Sequence, residues 1–321
     1  MSLDNNRLAL GEQSPSRMKV YTQEEILEAI RENDEQKRLD AERLAREGES
    51  KPKIPGVKPE EPRVIVPIDI TDPENYIILE GRNHGSYFYE DSLIAMHRLG
   101  LNPEVDKAGK EMNLSLVNTA KEADGTDYIG NINWFNALSL ACRLGRSVPT
   151  IRQGIDFKEH LEKGIADTKY KVLNGNGKKL DSKILENVYD EMFKARNPWR
   201  GEWLDADFKL QEINGQNVLH MLYGHELKNG VLVPSKTEKL ESCLMGEDCY
   251  IDPSSFNGQG LPTRKKDNSG FYFWYPRSDN NSVARFDARS VRAFLFCIGD
   301  PSNRNTSLGV RFVARKMEGI K

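Results

Sequence analysis

The spacing of apolar residues changes character along the chain, from sparse, to helical, to alternating. Thr22 and Glu25 form a capping-box pair, and the charged run that follows, to about Arg46 with Gly48 as its stop, predicts a helix. Its apolar positions, Ile26, Leu27, Ile30, Leu39 and Leu44, are too thin for a heptad seam. A solvated arm and a weak oligomerisation helix both remain open for it. Residues 1–20 read as disordered, and residues 49–63, rich in Pro, Lys and Glu, as a linker.

A globular unit is expected from Val64 to about residue 317. Val64-Ile65-Val66 and Tyr76–Leu79 read as strands, and Asp91–Leu99, closed by Gly100, as a helix. Trp134, Ala137, Leu138 and Ala141 recur at helical spacing, which predicts a helix over Asn133–Leu144. Thr150 with Gln153 caps a further helix to about Lys163, and Asp181–Arg196 reads as another. Beyond Trp199 the pattern changes: Asn214-Gly215 and Asn229-Gly230 flank the strand-like Val218–Leu227 and predict successive hairpins. Helices first and strands later, without βαβ alternation, predict an α+β domain.

The strictest alternation lies near the C-terminus. Ala284, Phe286 and Ala288 are interleaved with Arg285, Asp287 and Arg289; Ala293, Leu295 and Cys297 with Phe294 and Phe296. A strand sends each set to its own side. One set is small and apolar, as packing requires. The other mixes cations, an anion and aromatics, and is expected to be free of packing constraints.

Composition sharpens this reading. Between Tyr275 and Arg315 there is no Lys, Glu, Gln, Met or Trp, where average usage would place about nine such residues. The same stretch holds seven arginines. Surface chemistry gives no reason for arginine without lysine, but codons do. Randomising both adenines of an asparagine codon while its final pyrimidine stays fixed reaches fifteen amino acids, and the five left out are the five missing here.

The run Ala284-x-Phe286-x-Ala288…Ala293-x-Leu295-x-Cys297…Asp300-Pro301-Ser302…Ser307-Leu308-Gly309-Val310-Arg311 resembles the variable region of variable proteins from diversity-generating retroelements. Ile132-Asn133-Trp134-Phe135-Asn136-Ala137…Leu144-Gly145…Val148-Pro149-Thr150 is similar to the first-helix segment shared with formylglycine-generating enzymes. The resemblance implies a C-type lectin fold and a diversified ligand-binding face for a macromolecular target. Carried over by position, that face would comprise Arg285, Asp287, Arg289, Arg292, Phe294, Phe296 and Ile298, then Asn303, Arg304, Asn305 and Thr306. An archaeal or viral source is compatible with it. A fixed-specificity binder, a virion structural protein and an enzyme on the same fold are the alternatives.

Other chemistry is sparse. A net charge of -3 offers no footprint for nucleic acid. No apolar run has bilayer length, and Met1–Val20 lacks an apolar core segment, so a cytoplasmic or virion-associated chain is expected. Cys142, Cys243, Cys249 and Cys297 have no CxxC spacing; Cys243 and Cys249 leave a loop disulfide open. His220 and His225 should lie on opposite faces of a strand, and His84 and His97 read as satisfied histidines. Trp199 and Trp203 read as core anchors. Only Cys297 stands where formylglycine-generating enzymes carry a cysteine pair. No catalytic constellation, cofactor or metal site is expected.

Overall fold

The computed structural model of the chain describes residues 68–315 except 245–248, 278 and 291. The expected N-terminal disorder, helical arm, linker and Val64–Val66 strand lie outside the described residues.

The N-terminal half alternates short strands with helices: β1 (Tyr76–Leu79), β2 (Arg82–His84), β3 (Tyr87–Tyr89), β4 (Ser92–Ala95), α1 (Pro103–Glu111), β5 (Asn118–Lys121), β6 (Asp127–Ile129), α2 (Trp134–Arg143), α3 (Ile151–Ala166) and α4 (Ser182–Phe193). The C-terminal half is strands: β7 (Arg200–Ile213), β8 (Gln216–Lys228), β9 (Val231–Lys239), β10 (Cys249–Tyr250), β11 (Phe271–Trp274), β12 (Ser282–Ala288), β13 (Ala293–Gly299), β14 (Leu308–Val310) and β15 (Val313–Arg315). The fold is mixed α+β.

An eight-stranded sheet of order β10-β11-β13-β12-β7-β8-β9, with β14 also paired to β7, dominates it. Both predicted Asn-Gly turns close its hairpins. Asn214 and Asn229 have φ of 52°, and Gly215 and Gly230 have φ of 76° and 80°, the left-handed pair that a two-residue turn between twisted strands requires. The Thr150–Gln153 capping box is also present.

Each side of this sheet has its own core. On one, α3 and α4 pack on Leu204, Phe273, Phe286 and Leu295. On the other, α1 and α2 pack on Trp203, Val283, Leu308 and Val310. Trp203 donates its indole N–H to the Ile132 carbonyl, and Trp134 donates to that of Leu204. These two hydrogen bonds pin α2 to β7 across the sheet face.

Two elements differ from expectation. Asp91–Leu99 is not a helix: Ser92–Ala95 forms β4, with Ile94 opposite both Ile77 of β1 and Val313 of β15. A four-residue apolar run carries no decisive period, and pairing with a strand more than two hundred residues away decides its conformation. Conversely, α1 is an element beyond those expected, although its start signals stand in the sequence. Asn102 caps Val105, Pro103 opens the helix, and Glu104 and Asp106 fill its first turn. The predicted Asp181–Arg196 helix stops at Phe193, and further on the Arg196 N–H bonds the Arg289 carbonyl.

Candidate functional site

The alternation near the C-terminus becomes two sides of β12 and β13. Ala284, Phe286, Ala293, Leu295 and Cys297 lie in the core beneath α3 and α4, as their small apolar character predicts. Phe286 meets Phe193 at 5.1 Å between ring centroids. A side chain on Gly154 of α3 would run into the Phe286 ring, so helix and strand are in direct contact there.

The other side forms two cross-strand rows. Tyr272, Phe294, Asp287, Gly201 and Leu308 are register partners from β11 through β13, β12 and β7 to β14. Trp274, Phe296, Arg285, Trp203 and Val310 form the next row. Where β7 lies, this side is covered by α2. Toward β13 and β11 it carries a layer of arginines and rings.

That layer packs against itself. The Arg285 guanidinium lies 4.3 Å from the Phe296 ring and 5.6 Å from that of Trp203. Arg289 lies over Phe294 and Trp199, and Arg292 over Tyr272 at 4.5 Å. Arg292 also donates to the Tyr250 hydroxyl. Such cation–π contacts are worth about 0.5–2 kcal/mol each, more as they are desolvated.

This corrects the expectation of an unconstrained face. Asp287 is fully buried, and Arg285 and Phe294 are 5% and 4% exposed. β12 is buried on both sides: Trp199 and Trp203 lie against Arg285 on its outer side, and Val283 at its start joins the core that α2 fills. Arg289 remains exposed; Arg292, Phe296 and Ile298 are half-buried. Asn303, Arg304 and Thr306 are exposed and Asn305 half-buried, in a loop that rests on Gly130. The Ser307 carbonyl accepts from the Gly201 N–H, which places this loop at the end of the first row.

Asp287 is electrostatically under-served. Arg285 Nε approaches Oδ1 to 3.0 Å and Arg289 Nη2 approaches Oδ2 to 3.5 Å. Neither approach is aligned as a hydrogen bond, and both carboxylate oxygens lack a donor. Burial pushes this carboxyl above its ordinary value despite the two guanidiniums. A methyl group at Gly201 would overlap Oδ1, so the carboxylate sits where β7 has no side chain.

A second charged centre lies beyond β7. Arg98, Arg200 and Arg311 are buried with Glu122, Glu191 and Glu202, and Arg196 reaches in from the surface. Glu202 takes Arg311 at 2.8 Å and Arg98 at 3.5 Å; Glu191 takes Arg98, Arg196 and Arg200. None of this network was legible beforehand, since its members come from six separate segments.

Burial works against ionisation of Glu122, but hydrogen bonding to His97 and the charges of Arg98 and Arg311 outweigh it and hold its carboxyl at about 2. A depressed acid contributes stability above its unfolded value that is lost as pH falls through the folded one. Acid titration followed by circular dichroism should therefore show stability declining from about pH 4.5 to about pH 2. In Glu122→Gln that decline should flatten, from a lower starting stability.

His97, Glu122 and Asp124 place one ligand atom each within 4.8 Å of one another, the arrangement among the described residues nearest to a metal site. Glu122 is already committed, one oxygen to Arg98 and the other to His97, and two guanidiniums oppose a cation. His84 bonds Asp156, whose oxygens are also taken by Tyr89, Arg82 and Arg152. His225 pairs with Asp205, while His220 bonds the Val218 carbonyl. None of the four cysteines is in a disulfide. Trp203 is a core anchor, whereas Trp199 is half-buried under Arg289. No helix among the described residues is long and apolar enough to cross a membrane.

No protein-family model, curated protein or solved structure matches this chain.

Proposed function

We propose that this chain is a ligand-binding protein with a C-type lectin fold, whose C-terminal sheet face is diversified by a retroelement to recognise a macromolecular target. One observation carries the reading. The 275–315 stretch that lacks Lys, Glu, Gln, Met and Trp supplies a strip with one side sealed in the core and the other lined by arginines and aromatic rings. Arginine and aromatic residues are the groups that dominate binding hot spots, and a rigid sheet limits the ordering cost of association.

Burial divides the candidate residues by role. Arg289, Arg292, Phe296 and Ile298, with Asn303, Arg304, Asn305 and Thr306, are the accessible contacts. Arg285, Asp287 and Phe294 form the floor that orients them.

The test is genomic. A near-copy of the DNA for residues 275–315 should lie close to the gene, differ almost only at template adenines, and neighbour a reverse transcriptase. Lysine or glutamate codons at positions 289, 292 and 296 in related isolates would overturn diversification. An exposed contact without structural partners should also be dispensable for folding: Arg304, exposed in its loop, changed to serine (Arg304→Ser) is expected to alter unfolding free energy by no more than about 0.5 kcal/mol in urea titration.

A further inference from the structure

Next to the arginine–aromatic layer, a cleft of about 370 Å³ opens between β5 and residues 196–200, with Lys121, Glu122, Tyr128, Arg196, Trp199 and Arg200 in its wall. Ser307 also lines it, and every other lining residue stands outside the 275–315 stretch. Behind the wall stands the buried ion network, and its charges do not balance. Four guanidiniums (Arg98, Arg196, Arg200 and Arg311) face three carboxylates (Glu122, Glu191 and Glu202). His97 also bonds Glu122 at 2.7 Å, and its charge when protonated is offset by Asp124 at 3.7 Å, so this outer pair leaves the count unchanged.

The shortfall is local to Arg200. Its Nε and Nη2 donate to the carbonyls of Glu191 and Asp190, but Nη1 is buried without a hydrogen-bond partner. Glu191, its sole carboxylate neighbour, is shared with two other arginines. Burial pushes the Arg200 guanidinium down to about 10, and the Glu191 charge does not offset this. A buried donor on a charged group is costly to leave unmade.

We propose that this cleft is a fixed carboxylate-binding subsite, in which a monoanionic carboxylate on an organic stem is held by Arg200 and Arg196 beside the rings of Tyr128 and Trp199. A single negative charge matches the single excess positive charge, and Glu122 in the wall disfavours a dianion such as phosphate. The guanidinium fork suits a carboxylate. The subsite does not depend on diversification of the neighbouring face. If both hold, every target of that face presents an acidic group at one constant point.

The test is titration of the full chain with sodium propanoate against sodium chloride at constant ionic strength, followed by ¹H–¹⁵N signals. Saturable shifts are expected for residues 119–128 and 196–200. Arg200→Lys should weaken binding roughly tenfold by removing the guanidinium fork. Ala120→Phe should abolish it by filling the cleft without touching the ion network. If either variant fails to fold by near-ultraviolet circular dichroism, Arg196→Ala takes its place with the same expected loss. Absence of saturable shifts in the parent chain, unchanged affinity in the cleft-filling variant, or tighter binding of inorganic phosphate than of propanoate would each overturn the proposal.

Discussion

Replacing Glu202 by alanine is expected to lower the unfolding free energy by about 3–5 kcal/mol, the range for removing one partner from a buried ion pair. Glu202 is 2% exposed and neutralises both Arg311 and Arg98, themselves 0% and 2% exposed. Neither guanidinium has water to turn to once the carboxylate is gone. Arg311 keeps the Ala95 carbonyl and the more distant charge of Glu122, and Arg98 must lean further on Glu122 and Glu191. Urea denaturation should show a lower midpoint with an unchanged slope. Glu202→Gln, which keeps the shape and removes the charge, should lie between the parent and alanine. A loss below about 1 kcal/mol, the range of surface ion pairs, would mean that the network behaves as though solvated.

The second large effect concerns the floor of the proposed face. Asp287→Ala should cost about 3 kcal/mol, at the low end of the same range because Phe296 and Trp203 still face the Arg285 guanidinium. Changing both residues together, Arg285→Leu with Asp287→Ala, should return stability to within about 1 kcal/mol of the parent, since apolar replacements of a buried pair are commonly near neutral. A double-mutant cycle in urea should thus give a coupling of about 2 kcal/mol or more. Additive losses would show that the two side chains are held independently. If the face varies as proposed, positions 285 and 287 would tolerate change in pairs, whereas the exposed Arg304 would tolerate change alone.

How far the sequence leads depends on whether a feature is local. The α2 and α3 helices, the capping box at Thr150 and both Asn-Gly hairpins rest on neighbours a few residues apart, and each is found close to its expected place. The packed side of β12 and β13 follows from alternation alone. β4 departs from the helix expected there because Ser92–Ala95 takes its conformation from β1 and β15. The burial of Arg285 and Asp287 was illegible for a related reason. Period two separates the sides of a strand, but it carries no information on what a distant segment lays over them. Here Arg285 is met by the rings of Trp199 and Trp203. Charged residue types argue for exposure on average, and a pair that supplies its own counter-charge escapes that average.

Gly201 gives this last point a further turn. Opposite position 287 the neighbouring strand presents only backbone, and even a methyl group there would collide with the carboxylate. The bulk admissible at 287 is therefore governed from β7, by a residue that lies outside the alternating stretch altogether. With alanine at 201 the slot would narrow, and bulky alternatives at 287 would be shut out before any target was met. For the proposed diversified face, the breadth of a repertoire would on this geometry be inherited from its scaffold.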